Sequence, residues 1–144
     1  MRIEPFHGQD RAAVLALWEA CGLTRPWNPP EGDLDRALAN PSSTVLVARD
    51  GDAVQGSVMV GDDGHRGWVY YLSVEPSHRK TGLGRELMAA AEEWLRSRGV
   101  RKIELMVRSG NDAVLGFYEG LGYSGEPVAV LSRWLVDDPR GGAF

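Results

Sequence analysis

A glycine-rich, cationic stretch near the middle of the chain has the residue types of a phosphate-binding loop. It reads VEPSHRKTGLGR over residues 74–85, with a strand pattern before it and a helical pattern after it. Helix N-termini bind phosphate through unpaired N–H groups, and Gly82 and Gly84 would let the backbone approach the oxygens without a Cβ. The cations of the stretch are Arg79, Lys80 and Arg85. The pattern predicts a pyrophosphate cradle, while a plain strand-to-helix turn with solvated cations stays open as the alternative.

Two other phosphate-binding motifs do not fit this stretch. A P-loop needs the pattern G-x-x-x-x-G-K-[ST], which the chain lacks. The dinucleotide-binding fingerprint needs a third glycine, and Leu87 occupies that place. The sequence therefore argues against both of these nucleotide-binding classes.

A second stretch, NDAVLGFYEGLGY at residues 111–123, carries an amide and a phenol on a predicted helix. Asn111 stands where the helix begins, and asparagine is a favoured N-cap residue. The hydroxyl of Tyr118 could donate a proton. With Phe117 and Leu121 as neighbours on the same amphipathic helix, however, the residues alone favour a core aromatic.

Two further groups of side chains raise the question of nucleophilic or metal chemistry. Cys21 ends an apolar helix face without a neighbouring His or acid in the sequence, which is typical of buried packing. Asp62, Asp63 and His65 fall in a glycine-containing turn with no further ligand set, which is typical of a solvated loop. We therefore expect no covalent enzyme intermediate and no metal.

The spacing of apolar residues predicts the elements that must position these side chains, in the order βααβββαβαβ(β). The predicted strands are Met1–Pro5, Thr44–Arg49, Ala53–Val60, Trp68–Val74, Arg101–Val107 and one or two within Tyr123–Val136. The predicted helices are Asp10–Cys21, Asp33–Ala39, Gly84–Arg98 and Asn111–Leu121, with an irregular, proline-rich loop over Thr24–Gly32. This order predicts an α/β fold with a mixed sheet, antiparallel in its first part, and helices on both faces.

Length and composition are typical of one globular domain. The 144 residues predict a single domain over residues 1–136 and a loose tail over residues 137–144. A formal net charge of −4 argues against a nucleic-acid partner, and no segment has the apolar run of a signal peptide or a membrane span. The single cysteine excludes an internal disulfide and agrees with a reducing compartment. We expect a cytoplasmic protein with no membrane partner.

The two motif stretches together resemble a known family. Residues 79–84 have the pattern R-x-x-G-x-G after a V-x-P strand end. Residues 111–123 are similar to N-x-x-A-x-x-x-Y-x-x-x-G-[FY], with Val114 where alanine is usual. These motifs, in this order on these elements, resemble those of the GNAT superfamily of N-acetyltransferases over nearly all of residues 1–136. The RPWN, GHRG and YYL segments are similar to its YpeA-like bacterial subgroup.

The resemblance implies acetyl-CoA as the acetyl donor, held in a V-shaped opening between the parallel strands Trp68–Val74 and Arg101–Val107. The strand residues implied to pair with the pantetheine arm, as an added strand pairs with a sheet edge, are Leu72, Ser73 and Val74. An N–H near Leu72 would polarise the thioester carbonyl, and Asn111 would bind the pantetheine arm. The residues implied to hold the pyrophosphate are Arg79, Lys80, Thr81, Gly82, Leu83, Gly84 and Arg85.

The resemblance also implies direct transfer to a primary amine in a ternary complex, with Tyr118 contacting the cofactor and protonating the departing thiolate. A base is needed because amines usually have a pKa near ~10. In related ribosomal-protein acetyltransferases a glutamate lies five residues before the motif asparagine, but Met106 stands there in this chain. Glu104, two residues earlier and on the same strand face, is the first candidate base. Glu75, Tyr70 and a water relay stay open.

The acceptor site is expected in two loops. Trp27 and Asn28 lie in the proline-rich loop where the family builds this site, and we expect His65 and Arg66 near the acceptor groove. Arg25 and Arg66 would suit an acceptor that carries a carboxylate. The partner is a small-molecule or peptide amine that the sequence does not identify, and the last strands offer an edge for a homodimer. A non-catalytic acyl-CoA-binding module on the same fold is the alternative.

Overall fold

The computed structural model describes residues 1–140, in two compact units that divide after Leu105. The strands are β1 (Arg2–Pro5), β2 (Ser43–Asp50), β3 (Ala53–Asp62), β4 (Gly67–Val74) and β5 (Ile103–Glu104). The helices are α1 (Arg11–Ala20), α2 (Pro30–Ala39), α3 (Leu83–Ser97) and α4 (Asp112–Gly120). The end of the predicted tail, residues 141–144, lies outside the described residues. The predicted order of elements is confirmed as far as α4.

The five strands of the described chain form one mixed sheet in the first unit, in the order β1-β2-β3-β4-β5. Neighbouring strands are antiparallel from β1 to β4, and β4 pairs with β5 in parallel. The β2–β3 hairpin turns at Gly51, which has φ 60°, and Asp50 pairs with Ala53 across the turn. Asp-Gly sequences favour such hairpin turns. The mixed sheet predicted from the sequence is confirmed.

Helices cover both faces of this sheet. The core on the α1 and α2 face contains Val14, Trp18, Leu34, Ala37, Val45 and Val47. On the other face α3 lies so close that an added Cβ on Gly56 would come within 2.8 Å of Leu87. Gly67 leaves room for Leu95 of α3 in the same way. Glycine at these two positions therefore serves close helix–sheet packing, and the two helical layers hold β4 between them.

α2 begins earlier than the sequence predicts. We expected an irregular loop over Thr24–Gly32 and a helix over Asp33–Ala39, whereas the helix begins at Pro30. Proline is favourable at the first helical position because the N–H that it lacks would have no partner there, and its φ is already helical. The acidic side chains of Glu31 and Asp33 then lie in the first turn, where the helix dipole favours them.

The second unit contains α4 and a C-terminal segment without regular structure. Asn111 is the N-cap of α4, and its side chain accepts a hydrogen bond from the Val114 N–H at 3.3 Å. The strands predicted within Tyr123–Val136 are wrong for the described chain, since no residue of this segment is in a strand. A strand needs a partner for its hydrogen bonds. The apolar side chains that suggested strands are exposed instead, Leu131 by 92% and Leu135 by 94%.

A buried ion cluster joins β1 to β2 at the edge of the sheet away from β4. Arg49, 5% exposed, donates to the Asp10 carboxylate at 2.5 and 2.7 Å and to Glu4 at 2.6 Å. Asp10, 3% exposed, also accepts a hydrogen bond from the His7 N–H. The hydrogen bonds from Arg49 lower the pKa of both carboxyl groups. The cluster therefore anchors the start of the chain by charge pairs that need ionised carboxylates.

Candidate active site

The parallel pairing of β4 with β5 ends after two residue pairs. Gly67–Trp68 pairs with Ile103–Glu104, so the strand predicted over Arg101–Val107 is much shorter than expected. Beyond this point the β5 side of β4 faces no paired strand within the first unit. Unpaired strand edges offer N–H and C=O groups to an extended ligand. This open edge contains the residues predicted to pair with the pantetheine arm, Leu72, Ser73 and Val74.

A β-bulge bends β4 within this open edge. The register of β3 against β4 shifts between Ser57 and Met59, so β4 has one extra residue there. Tyr71 takes a left-handed conformation with φ 56°, which is unfavourable for a bulky residue. Bulges re-aim side chains next to active sites. Here the bulge brings two consecutive residues, Tyr70 and Tyr71, to one cavity, although consecutive residues of a regular strand point to opposite faces.

A buried chain of hydrogen bonds holds β4 in place beside the bulge. Trp18 Nε1 donates to Ser57 Oγ at 3.0 Å, and Ser57 Oγ and Ser73 Oγ share a hydrogen bond of 2.9 Å. The Trp18 ring stacks on Tyr71, with centroids 4.0 Å apart and planes 12° from parallel. The Cys21 thiol donates to the last carbonyl of β4 at 3.4 Å. Side chains of α1 therefore position the open edge, and Cys21 makes a structural contact.

The glycine-rich stretch connects β4 to α3, as predicted. Lys80 has φ 63°, and Gly82, the N-cap of α3, has φ 89°, a conformation that glycine adopts without strain. The first N–H groups of a helix have no partner inside it, and in α3 the Glu86 N–H is bonded to the Gly82 carbonyl at 3.1 Å. The side chains of Arg79, Lys80 and Arg85 are exposed. Unpaired N–H groups and positive charge therefore meet at one point, which suits a pyrophosphate.

A cavity of about 450 Å³ lies between α2 and the bulged part of β4. The Tyr71 hydroxyl donates to Asp33 Oδ2 at 2.7 Å. Burial, together with this carboxylate, raises the pKa of Tyr71 well above its usual range, so the phenol stays protonated. Arg36 lines the cavity one turn further along α2. No motif in the sequence marks Asp33 and Arg36 as site residues, and the one signal for them is their i, i+3 spacing on a polar helix face.

The loop that leads into α2 contains the predicted acceptor residues Trp27 and Asn28. The Asn28 N–H donates to the Arg25 carbonyl at 3.0 Å, which tightens the loop. The Arg25 guanidinium donates to the carbonyls of Gly22 and Thr24 at 2.7 and 2.8 Å. Arg25 is therefore engaged in holding the loop, while Trp27 and Asn28 stay predictions as acceptor residues, directly before the helix that lines the cavity.

The GHRG turn lies before β4, at the end of the strand away from the glycine-rich stretch. The Asp63 carboxylate accepts hydrogen bonds from the N–H groups of Arg66 and His65 at 2.7 and 2.8 Å, and these bonds lower its pKa. Trp68 Nε1 donates to the same carboxylate at 3.0 Å. Asp63 therefore has a structural role in the turn. Among residues 1–140, no group of three or more His, Cys, Asp or Glu side chains is placed to hold a metal ion.

Glu104, the predicted base, also lies at the paired end of β4. Its carboxylate faces the Arg66 guanidinium at 3.5 Å, and its strand partner is Trp68. From Trp68 to Leu72 the strand advances four residues, or about 13 Å at ~3.3 Å per residue. The structure therefore does not bring Glu104, His65 or Arg66 to Leu72, the residue that follows the Tyr71 bulge.

In the second unit, α4 carries the predicted acid. Tyr118 is 8% exposed, and its ring meets Phe117 and Tyr123 edge-on, with centroids 5.0 and 5.7 Å away. Burial raises the pKa of Tyr118 to about 12, so its hydroxyl stays protonated at neutral pH. The hydroxyl forms no hydrogen bond with a described residue, and its oxygen is not fully buried. It is therefore free to donate to another group, while Asn111 has its side chain on the helix cap.

Comparison with known proteins identifies the family. The sequence model of the acetyltransferase (GNAT) family matches residues 12–123. An acetyltransferase of Pectobacterium atrosepticum is 46% identical over 138 residues, which are 96% of this chain and 98% of that protein. An acetyltransferase of Yersinia enterocolitica is 44% identical with the same coverage. No helix among residues 1–140 has both the length and the apolar composition to cross a membrane.

Solved structures share the fold. The aminoglycoside antibiotic 6'-N-acetyltransferase AAC(6')-IG of Acinetobacter haemolyticus has a TM-score of 0.77 at 18% identity, covering 94% of this chain and 100% of that one. The structure of AAC(6')-Iy in complex with the bisubstrate analogue CoA-S-monomethyl-acetylneamine has a TM-score of 0.78 at 16% identity, covering 94% and 98%. These structures show the shared fold, while the family match and the two relatives define the class, that of acetyltransferases. The chain belongs to the acetyltransferase (GNAT) family and is an N-acetyltransferase.

Family membership, predicted from two short motifs, is confirmed. The family uses acetyl-CoA as its acetyl donor, in agreement with the predicted cofactor. The match over residues 12–123 includes parts of both compact units. The assignment of residues 1–136 to a single domain stays a prediction, as do the roles of the individual site residues.

Proposed function

We propose that this N-acetyltransferase moves the acetyl group of acetyl-CoA to a primary amine by direct transfer in a ternary complex. The observation that carries the proposal is the open edge of β4. This edge contains the strained bulge at Tyr71 and continues into the glycine-rich start of α3 at Gly82. Such a strip suits an extended ligand with a pyrophosphate group, because backbone groups can pair with the arm while N–H groups and cations bind the phosphates.

Acetyl-CoA, when bound, supplies an acetyl group activated as a thioester. We assign the backbone of Leu72, Ser73 and Val74 to the pantetheine arm and the N–H groups around Gly82 to the pyrophosphate. The extra residue of a bulge is left unpaired in the ladder. We therefore assign to an N–H near Leu72 the polarisation of the thioester carbonyl and the stabilisation of negative charge on its oxygen.

We assign protonation of the departing thiolate to Tyr118. A pKa of about 12 keeps the phenol in its donor form at any physiological pH. A thiol ordinarily has a pKa near ~8.5, so the thiolate is a weaker base than the phenolate. Tyr118 therefore lowers the barrier through a hydrogen bond to sulfur that strengthens as negative charge develops there. Asn111 is assigned to the pantetheine arm on the family resemblance, with the helix cap as its observed role.

We assign deprotonation of the acceptor ammonium to a water relay rather than to Glu104. The ion pair of Glu104 with Arg66 and its distance of about 13 Å from Leu72 along the strand support this choice. A relay needs no side chain of matched pKa, because water carries the proton to bulk solvent. Glu104 stays a prediction as the base, and its substitution separates the two routes.

The test is release of free CoA thiol from acetyl-CoA in the presence of a panel of amines and peptides, with the acetylated product identified by mass. We expect thiol and product in equal amounts. Binding is measured separately by thermal unfolding, where ligand at ~100 times Kd adds about 2.7 kcal/mol. Stabilisation by acetyl-CoA without transfer to any amine contradicts the proposal and supports a non-catalytic acyl-CoA-binding module. Absence of stabilisation at millimolar acetyl-CoA contradicts both.

We further propose cytoplasmic localisation and a homodimer, with no nucleic-acid or membrane partner. The single cysteine supports a cytoplasmic localisation. The net charge of −4 supports the absence of a nucleic-acid partner. The exposed apolar segment with Leu131 and Leu135 supports self-association. Sedimentation at micromolar concentration tests the dimer, and a monomer at all concentrations contradicts it.

A further inference from the structure

The cavity beside the Tyr71 bulge carries two opposite charges on one helix face. Asp33 and Arg36 are three residues apart on α2, and both line the cavity. The Arg36 guanidinium forms no ion pair or hydrogen bond with a described residue. Of the Asp33 oxygens, Oδ2 accepts the Tyr71 hydroxyl at 2.7 Å, and Oδ1 accepts from no described side chain. The cavity therefore presents a guanidinium and a carboxylate oxygen that a ligand can pair.

The remaining wall of the cavity combines apolar and aromatic side chains with the polar residues Asn40 and Ser43. Met59, Tyr70 and Tyr71 line it, and Tyr70 is 45% exposed. Water occupies about 30 Å³ per molecule in the liquid, so 450 Å³ corresponds to roughly 15 non-hydrogen atoms of ligand. That size suits an amino acid or a dipeptide.

The cavity adjoins the open edge of β4. Tyr70 and Tyr71 line it and directly precede Leu72, where we place the thioester carbonyl. The stacking of Tyr71 on Trp18 positions its ring beside the cavity. A ligand bound in the cavity thus lies beside the position proposed for the acetyl group.

We propose that this cavity is the acceptor site and that the acceptor is a small zwitterion, an amino acid or short peptide. Arg36 binds its carboxylate, and Asp33, held by Tyr71, attracts its ammonium group and positions it toward Leu72. The bound ammonium first loses one proton to water, and the neutral nitrogen attacks the thioester carbonyl. The C–N bond then forms, the acetyl C–S bond breaks, the nitrogen loses its second proton and the sulfur gains one, so that one proton in all is released to water. This inference rests on the proposed function. Arg36 takes the role predicted for Arg25 and Arg66, the binding of an acceptor carboxylate.

The experiment compares amino acids with their carboxamides as acceptors, at saturating acetyl-CoA, by thiol release. A carboxamide keeps the amino group and removes the negative charge. Hydrogen bonds to charged groups predict a preference of about 10- to 100-fold in kcat/KM for the acid form. Arg36→Gln is expected to reduce that preference to within about 3-fold. Asp33→Asn is expected to lower kcat/KM for acids and carboxamides alike by about 10-fold, because both carry the amino group.

Arg11→Gln is the matched control. Arg11 pairs with Asp35 on the exposed side of α2, at 2.5 Å, so this variant removes the same charge outside the cavity. It is expected to keep the preference for the acid form. Equal use of acids and carboxamides by the parent, or an equal loss on both with Arg36→Gln, overturns the inference and leaves the proposed function standing. Transfer to no amine at all overturns the proposed function and this inference with it.

Discussion

Replacing Tyr118 by phenylalanine removes one hydroxyl and is expected to slow acetyl transfer with little effect on stability. The ring contacts with Phe117 and Tyr123 persist in the variant. The hydroxyl itself forms no hydrogen bond with a described residue, so its loss leaves no partner unpaired. We expect the free energy of unfolding to change by no more than about 0.5 kcal/mol.

The effect on turnover follows from the pKa of about 12. At pH 8 the pKa of Tyr118 lies about four units above the pH, so roughly one phenol in 10⁴ is ionised. The group is a donor over the whole working range, and the activity due to it would fall only as the pH approaches 12. Positioned proton donors contribute ~10²- to 10⁴-fold, or about 2.7–5.4 kcal/mol of barrier.

The assay is steady-state thiol release from pH 6.5 to 9.5, together with the affinity for acetyl-CoA. Tyr118→Phe is expected to lower kcat by ~10²-fold or more with Kd for acetyl-CoA within a factor of about 3. An acetyl thioester of a more acidic thiol needs less help from an acid and is expected to lose less rate. Thermal unfolding of both proteins is the control for folding.

Three outcomes would refute this reasoning. Turnover within about threefold of the parent would remove Tyr118 from the chemistry. An equal loss with the more acidic leaving thiol would show that the hydroxyl does not assist the thiolate. A fall in activity that follows a loss of stability would make the residue structural, as its position among aromatic neighbours first indicated.

Three further predictions concern the phosphate cradle, the ion cluster and the base. Gly82→Ala forces an alanine to φ 89° and is expected to weaken acetyl-CoA binding, measured by calorimetry, about 5- to 30-fold. Gly99→Ala is the control, because it places similar strain at φ 80° after α3 and is expected to lower stability only. Asp10→Asn leaves the buried Arg49 without its main partner and is expected to cost about 3–5 kcal/mol in urea unfolding at pH 7. The pKa of Asp10 in the folded protein lies below its ordinary 3.8, so this contribution to stability is complete above pH 3.8 and disappears as the pH falls through the lowered pKa. An Asn variant as stable as the parent at pH 7 would contradict the assignment. Glu104→Gln is expected to leave the pH–rate profile unchanged, and loss of the low-pH limb, where activity rises as a base is deprotonated, would restore Glu104 as the base.

Much of the fold was predictable because the signals are local. The Asp-Gly turn after β2 and the helical spacing that ends at Gly99 depend on neighbouring residues, and both elements form where predicted. The C-terminal strands were not predictable in this way, since alternating apolar residues form a strand only when another strand supplies hydrogen-bond partners. Within the described chain Leu131 and its neighbours have none.

The roles predicted for single side chains depended more strongly on the structure. Glu104 was chosen because residues two apart share a strand face, but pairing with Trp68 places it at the closed end of the β4–β5 pair. Asp33 and Arg36 had no motif to mark them, and they became candidates only where α2 packs beside the bulge. Register and packing decide which side chains meet, and neither can be read from spacing along the chain.

The sequence by itself determined the family, the glycine-rich turn that begins α3 and the chemistry available to Tyr118, because these follow from residue types at short, fixed spacings. Tertiary structure decided where the β4–β5 pair opens, that a strained Tyr71 turns two tyrosines toward one cavity, and that Asp33 and Arg36 face it. Those features arise from contacts between segments that lie far apart in the chain. These contacts form, and stabilise the fold, only when the sheet and its helices pack together.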